Sequence, residues 1–121
     1  SRVALVVEND PAMRRAYELM LGRTLGMVVR ATGGTAEALA EMGQDDPPDV
    51  ILADYNLDNG DTGIAAIRAL RAAAGQVVPA VMVTAQRDPG IARACASEGV
   101  PLIEKPVRAD ELAAVLTRVA G

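Results

Sequence analysis

The chain of 121 residues contains no histidine. That absence removes a serine-type triad, a His-liganded metal and a phosphohistidine carried on this chain. There is no Phe, no Trp and only two Tyr. An aromatic cage, a base-stacking platform and a flavin clamp are therefore not expected. The core must be built from Val, Ile, Leu, Met and many Ala, which suit tight packing of helix on sheet. Cys95 stands alone, so no internal disulfide is available and a reducing, cytoplasmic setting is expected. A lone Cys in an Ala-rich helix reads as packing. No apolar run approaches the ~20 residues that span a bilayer, and no signal peptide is visible. The net charge is −4 and no basic stripe is present, so nucleic-acid binding is not expected.

What is present suffices for one domain with a single core. The chain begins almost directly in a strand, as a domain excised from a longer chain would. Residues 3–7 form an apolar run that ends at Glu8-Asn9-Asp10. Asp10-Pro11 reads as a helix N-cap followed by proline at the first helical position. That helix runs to about Leu21, with Met13, Tyr17, Met20 and Leu21 on its apolar face, and residues 22–26 close it. A second strand is expected over 27–31, then a turn and cap at Gly33-Gly34-Thr35 and a helix over 36–42. After the polar loop 44–48 comes the third strand, 49–54, an apolar run that stops at Asp54. Thr62 can cap a third helix in which Ile64, Ile67 and Leu70 recur, with Gly75 at its end. A fourth strand over 77–84 and a helix opened by Asp88-Pro89 follow, then a strand over 100–103 and a helix over 109–120.

Five strands alternating with five helices through short connections imply a parallel sheet with helices on both faces. The expected class is a flavodoxin-like doubly wound α/β fold with strand order 2-1-3-4-5. No internal repeat or linker is visible.

The polar residues obey a rule in this frame. Glu8 and Asn9, Asp54, Thr84 and Lys105 all fall at the carboxyl ends of strands, hence on one edge of the sheet. Singly, each has a plainer reading. Asp54 ends a strand, Asp10 caps a helix, Thr84 is a β-branched strand residue, and Lys105 is a solvated lysine. Together they place two carboxylates, an amide, a hydroxyl and an ammonium in one pocket. Carboxylate and carbonyl oxygens suit Mg²⁺, which accepts one or two carboxylates and keeps several waters. A lysine and a hydroxyl suit phosphoryl oxygens. Asp is a competent nucleophile toward phosphorus.

These residues resemble the receiver domain of two-component signalling, across essentially the whole chain. The matching pieces are Val6-Val7-Glu8-Asn9-Asp10-Pro11 with Met13-Arg14, then Asp54-Tyr55-Asn56-Leu57, Val83-Thr84-Ala85 and Lys105-Pro106. The resemblance implies Asp54 as phosphoacceptor. It implies Glu8, Asn9, Asp54 and the backbone carbonyl of Asn56 as Mg²⁺ ligands. Thr84 would be the switch hydroxyl and Lys105 the conserved-type lysine, with a cis Lys105-Pro106 peptide. The domain would promote its own aspartyl phosphorylation and dephosphorylation without being a free-standing enzyme. The donor would be a phosphohistidine on a histidine kinase or histidine phosphotransfer domain. The last two helices and the fifth strand would form the partner surface, and a weak homodimer is compatible with it. The wording around Asp54 and Lys105 is similar to receivers at the C-terminus of hybrid sensor kinases.

Three positions depart from the family pattern. Asn9 stands where a second acid is usual, so weaker Mg²⁺ binding is expected. Leu102 replaces the aromatic switch residue, so switching must run through loop and helix shifts. Asp58 replaces a proline, so the loop 58–60 is expected to be more flexible and more acidic. A pseudo-receiver, a binding module without efficient phosphotransfer, is the rival reading. Enzyme readings on the same fold lack their motifs. A dehalogenase-like phosphatase would need an acid where Asn56 stands, and Gly33-Gly34-Thr35 is not a phosphate loop.

Overall fold

A computed structural model describes residues 2–44 and 46–120, so Ser1, Asp45 and Gly121 lie outside it. The centre of the sheet is β3 (Val50–Asp54), in which every residue is buried. A strand covered on both faces has no use for alternation of polar and apolar residues, hence its unbroken apolar run. It lies between β1 (Val3–Val7) and β4 (Ala80–Thr84); β2 (Val28–Thr32) and β5 (Leu102–Glu104) are the outer strands. All pairs are parallel and the order is 2-1-3-4-5, as the sequence predicts.

The helices are α1 (Pro11–Leu19), α2 (Thr35–Met42), α3 (Gly63–Ala74), α4 (Pro89–Ser97) and α5 (Ala109–Ala120). Strand side chains alternate between two apolar layers. Leu5, Ile51, Ala53, Ala80 and Met82 pack with buried residues of α2, α3 and α4. Ala4, Val6, Leu52, Val81 and Val83 pack with Tyr17 and Leu21 on one side and Leu112 and Leu116 of α5 on the other. Among the described residues no helix is long and apolar enough to cross a membrane.

The caps form as the sequence predicts. Asp10 accepts from the Ala12 N–H at 2.9 Å, Asp88 from that of Gly90 at 2.7 Å and Thr62 from that of Ala65 at 3.2 Å. Each satisfies an amide that the first helical turn leaves without a partner. Gly75 closes α3 at φ 68°, in the left-handed region.

Several boundaries differ from the sequence reading. The fourth strand starts at Ala80 rather than 77, and Val77 is 78% exposed. Pro79 has no N–H to give the sheet, although its carbonyl still accepts from Ile51 at 2.9 Å. The fifth strand starts at Leu102 for the same reason, with Pro101 contributing only its carbonyl, to Met82. The first helix does not stop at Gly22. It runs on as a π-helical turn, Met20–Thr24, which seats Leu21 in the core. The Met27 N–H closes that turn on the Leu21 carbonyl, so the second strand begins one residue later than expected. Thr35 is the first residue of α2 rather than its cap, and its hydroxyl donates to Asp61.

Candidate functional site

The five predicted side chains do lie at one edge, because parallel strands point their carboxyl ends the same way. Register sets their depth. Val7 pairs with Ala53, Asp54 with Val83 and Thr84 with Glu104. Glu8, Asp54, Thr84 and Lys105 are thus each at or one residue past a strand end.

Asp54 is 7% exposed, and its Oδ2 accepts from Lys105 Nζ at 3.2 Å. Lys105 is the single lysine of the chain. Its backbone N–H donates to the Thr84 carbonyl at 2.8 Å, and the Lys105-Pro106 peptide is cis. The chain is therefore tied to β4 at the residue that reaches Asp54. Thr84 is fully buried, and its Oγ1 accepts from the Gln86 N–H at 3.1 Å. The hydroxyl hydrogen remains free to donate.

Glu8 is 1% exposed, the least solvated acid of the site. Its Oε1 accepts from the Asp10 N–H at 3.2 Å, while its Oε2 has no hydrogen-bond partner. Burial, then the carboxylate of Asp54, push Glu8 up to about 7 from 4.5, against smaller lowering contributions from the Asp10 amide and Lys105. A buried carboxylate oxygen with no partner, facing a second carboxylate, is costly without a cation. This is the observation that fits a divalent ion. The oxygen-only donor set suits Mg²⁺ rather than a soft metal. Among the described residues no three acidic or Cys side chains form a metal cluster by themselves, so such an ion would draw on amide and carbonyl oxygens as well.

Asn9 is half-buried, and its Nδ2 donates to Asp58 Oδ1 at 2.8 Å. Asn56 is exposed, and its side-chain Nδ2 donates to Gln86 Oε1 at 3.1 Å. The loop 58–60 is a single 3₁₀ turn with Asn59 in the left-handed region at φ 61°. Hydrogen bonds between Leu57 and Asp61 and between Asp61 and Asp58 close it.

Two positions that hold the site escaped the sequence reading of roles. Arg14 donates from Nη1 to the Glu8 carbonyl at 2.9 Å and to that of Asn9 at 3.4 Å, pinning the β1–α1 loop from one turn into the helix. Gly63 opens α3 so close to β3 that a Cβ there would sit 2.4 Å from the Asp54 carbonyl oxygen and 2.6 Å from Met82 Sδ. A separate cavity of about 340 Å³, lined by Arg2, Leu25, Met27 and Leu116, lies at the opposite edge of the sheet and contains none of these groups.

The model of the response regulator receiver domain matches residues 4–117. The chain belongs to that family. Among solved structures, the chemotaxis protein CheY4 of Vibrio cholerae is 25% identical, with 98% of each chain covered and a TM-score of 0.85. A receiver domain protein from Clostridium thermocellum (18% identity, 99% and 94% covered, TM-score 0.87) and a receiver protein from Pseudomonas putida (22%, 97% and 96%, 0.85) share the fold. No curated protein sequence matches. Receiver domains of this kind work in two-component systems with histidine kinases or phosphotransfer proteins, and they generally depend on Mg²⁺.

Proposed function

We propose that this receiver domain accepts a phosphoryl group on Asp54 from a phosphohistidine of a histidine kinase or phosphotransfer domain. The observation that carries the reading is the pairing of a buried carboxylate, Asp54, with the chain's single lysine at 3.2 Å, beside a second buried acid, Glu8, whose Oε2 lacks a partner.

In the transfer, a carboxylate oxygen of Asp54 attacks phosphorus. The phosphorus–nitrogen bond breaks, and the donor imidazole leaves with its electron pair. Charge is spread over the phosphoryl oxygens in such a transition state. Lys105 exchanges its contact with Asp54 for one of these oxygens, and the Thr84 hydroxyl donates to another. Glu8, Asn9, Asp54 and the Asn56 carbonyl would hold Mg²⁺, which supplies positive charge to the phosphoryl oxygens when bound. Asp54 needs no general base, since it is 7% exposed but paired as a carboxylate with an ammonium.

The output surface is assigned to α4, β5 and α5. Leu102 lies partly buried against the core layer that contains Ile91 and Cys95, so no ring is available to turn at that position. Gln86 and Arg87, two and three residues after Thr84, link the site to that face: Arg87 pairs with Glu104 at 2.7 Å. Phosphorylation would act by drawing Thr84 toward the phosphoryl group and releasing the Gln86 N–H. The wording of residues 53–57 and 105–108 supports membership of a hybrid sensor kinase, and a cytoplasmic location goes with that role.

The test is intact mass after incubation with acetyl phosphate, with and without Mg²⁺, beside Asp54→Asn. One phosphoryl adduct that requires both Mg²⁺ and Asp54 supports the proposal. A folded protein that takes none, from acetyl phosphate or from a phosphorylated histidine kinase, would favour the pseudo-receiver.

A further inference from the structure

The site has a charge deficit that the fold itself addresses. Asn9 brings a neutral amide where the chain's other site positions bring Glu8 and Asp54. An amide has two unlike ends, an NH₂ that only donates and an oxygen that only accepts. A cation can use only the oxygen. Left alone, the group would turn either way.

Asp58 removes that freedom. Its carboxylate accepts from Asn9 Nδ2 at 2.8 Å, across 49 residues of sequence. An ionised carboxylate is an acceptor only, so it takes the NH₂ end and no other. The Asn9 Oδ1 is then turned away from Asp58, and no donor among the described residues bonds to it. The turn that carries Asp58 is itself fixed by hydrogen bonds at both ends. Independently, the neighbouring Glu8 is 1% exposed with an unpartnered Oε2. Two oxygen atoms on adjacent residues thus lack protein donors, next to the Asp54 carboxylate.

We infer that Asp58 is a positioning residue for the divalent-cation site: it orients the Asn9 amide so that its oxygen serves as a ligand, and it supplies one hydrogen bond away the negative charge that position 9 lacks. The inference rests on the proposed Mg²⁺-dependent reading of the site. Carboxylates placed behind metal ligands act in this way, fixing orientation and raising ligand basicity. Removing such a partner costs about 10–100-fold in affinity in metal enzymes generally. Here Asp58 is exposed and screened, so the expected loss is about three- to tenfold.

The experiment is an NMR titration of ¹⁵N-labelled protein with MgCl₂, following the amides around Asp54, at fixed ionic strength. The proteins are the wild type, Asp58→Asn, Asp58→Ala, Asn9→Ala and the Asn9→Ala/Asp58→Ala double variant. Spectra away from the site report that each is folded. The expected order of affinity is wild type, then Asp58→Asn, which keeps an acceptor oxygen without the charge, then Asp58→Ala. In the Asn9→Ala background the Asp58→Ala change costs less than it does with Asn9 present, because the orienting effect that runs through the amide is gone and only the charge effect remains. Wild-type affinity in Asp58→Ala, or an undiminished loss in the Asn9→Ala background, overturns the inference and leaves the receiver reading standing. A wild type that binds no Mg²⁺ at tens of millimolar overturns both.

Discussion

Lys105 Nζ lies 3.2 Å from Asp54 Oδ2, and 51 residues of chain separate the two. This is the ion pair of the chain's single lysine. It joins the end of the central strand to the residue after the fifth, and it balances one of two buried carboxylates. Lys105→Ala leaves Glu8 and Asp54 facing each other without that cation. Without Mg²⁺ the variant is expected to lose about 1–2 kcal/mol, less than a fully buried pair would, because Lys105 is a quarter exposed. Phosphoryl acceptance is expected to fall about 10²-fold or more, as when one preorganised stabiliser of transition-state charge is removed. Urea unfolding and adduct formation over time, measured on the same preparation, check the two effects.

Glu8 makes the metal-free domain sensitive to pH. Its carboxyl is raised from 4.5 to about 7, chiefly by burial and then by Asp54. A raised acid binds its proton more tightly in the folded state, so the fold is favoured below the unfolded value. That advantage is lost as pH rises from about 4.5 through about 7. A shift of this size corresponds to about 3 kcal/mol. Urea midpoints in chelator should therefore fall across this window from this group, and Glu8→Gln should flatten the profile. Mg²⁺ should restore stability chiefly above pH 7, where Glu8 is ionised. A profile identical in Glu8→Gln and wild type would count against the assignment.

Gly63 makes room for the Asp54 backbone. A Cβ there would meet the Asp54 carbonyl oxygen at 2.4 Å and Met82 Sδ at 2.6 Å. Gly63→Ala is expected to cost about 1–3 kcal/mol through overpacking, even though alanine favours helix. The displaced atom belongs to the phosphoacceptor residue, so phosphorylation should slow as well. Thermal unfolding of the variant checks the first effect, and a melting temperature at or above wild type would contradict it.

Tyr17 offers a change in the opposite direction. The side chain is 1% exposed and its hydroxyl has no hydrogen-bond partner. Burial, with Glu8 and Asp54 adding to it, raises the phenol well above its usual range, so it stays neutral. Tyr17→Phe removes an unsatisfied polar atom and keeps the ring. Stability is expected to be unchanged or to rise by about 1 kcal/mol. A loss above that size, by urea unfolding, would show that the hydroxyl is satisfied in solution.

The fold was legible because its signals are local and repeated. Apolar runs mark the buried strands, Asp-Pro pairs open α1 and α4, and Gly75 ends α3. Errors fell where one residue does two things. Val77 and Val78 look like strand, yet Pro79 cannot donate to the sheet and Val77 faces solvent. Gly22 looks like a helix stop, yet the backbone continues through it as a π turn. The site was legible in its charged strand ends and not in its supports. Arg14 works through backbone carbonyls, and Gly63 through the absence of a side chain. Asp58, in a loop already rich in acids and amides, acquires meaning only from its contact with Asn9. None of these leaves a pattern in the chain's composition or periodicity.

The most direct test of the central claim is chemical mapping of the phosphorylated residue. The domain is incubated with acetyl phosphate and Mg²⁺, reduced with borohydride, digested and sequenced by tandem mass spectrometry. Borohydride converts an aspartyl phosphate to homoserine, which marks its position stably. Homoserine at residue 54, absent without Mg²⁺ and absent in Asp54→Asn, is the predicted result. Homoserine at another Asp, or the corresponding alcohol at a Glu, with residue 54 left as Asp, or phosphorylation indifferent to Mg²⁺, would contradict the account.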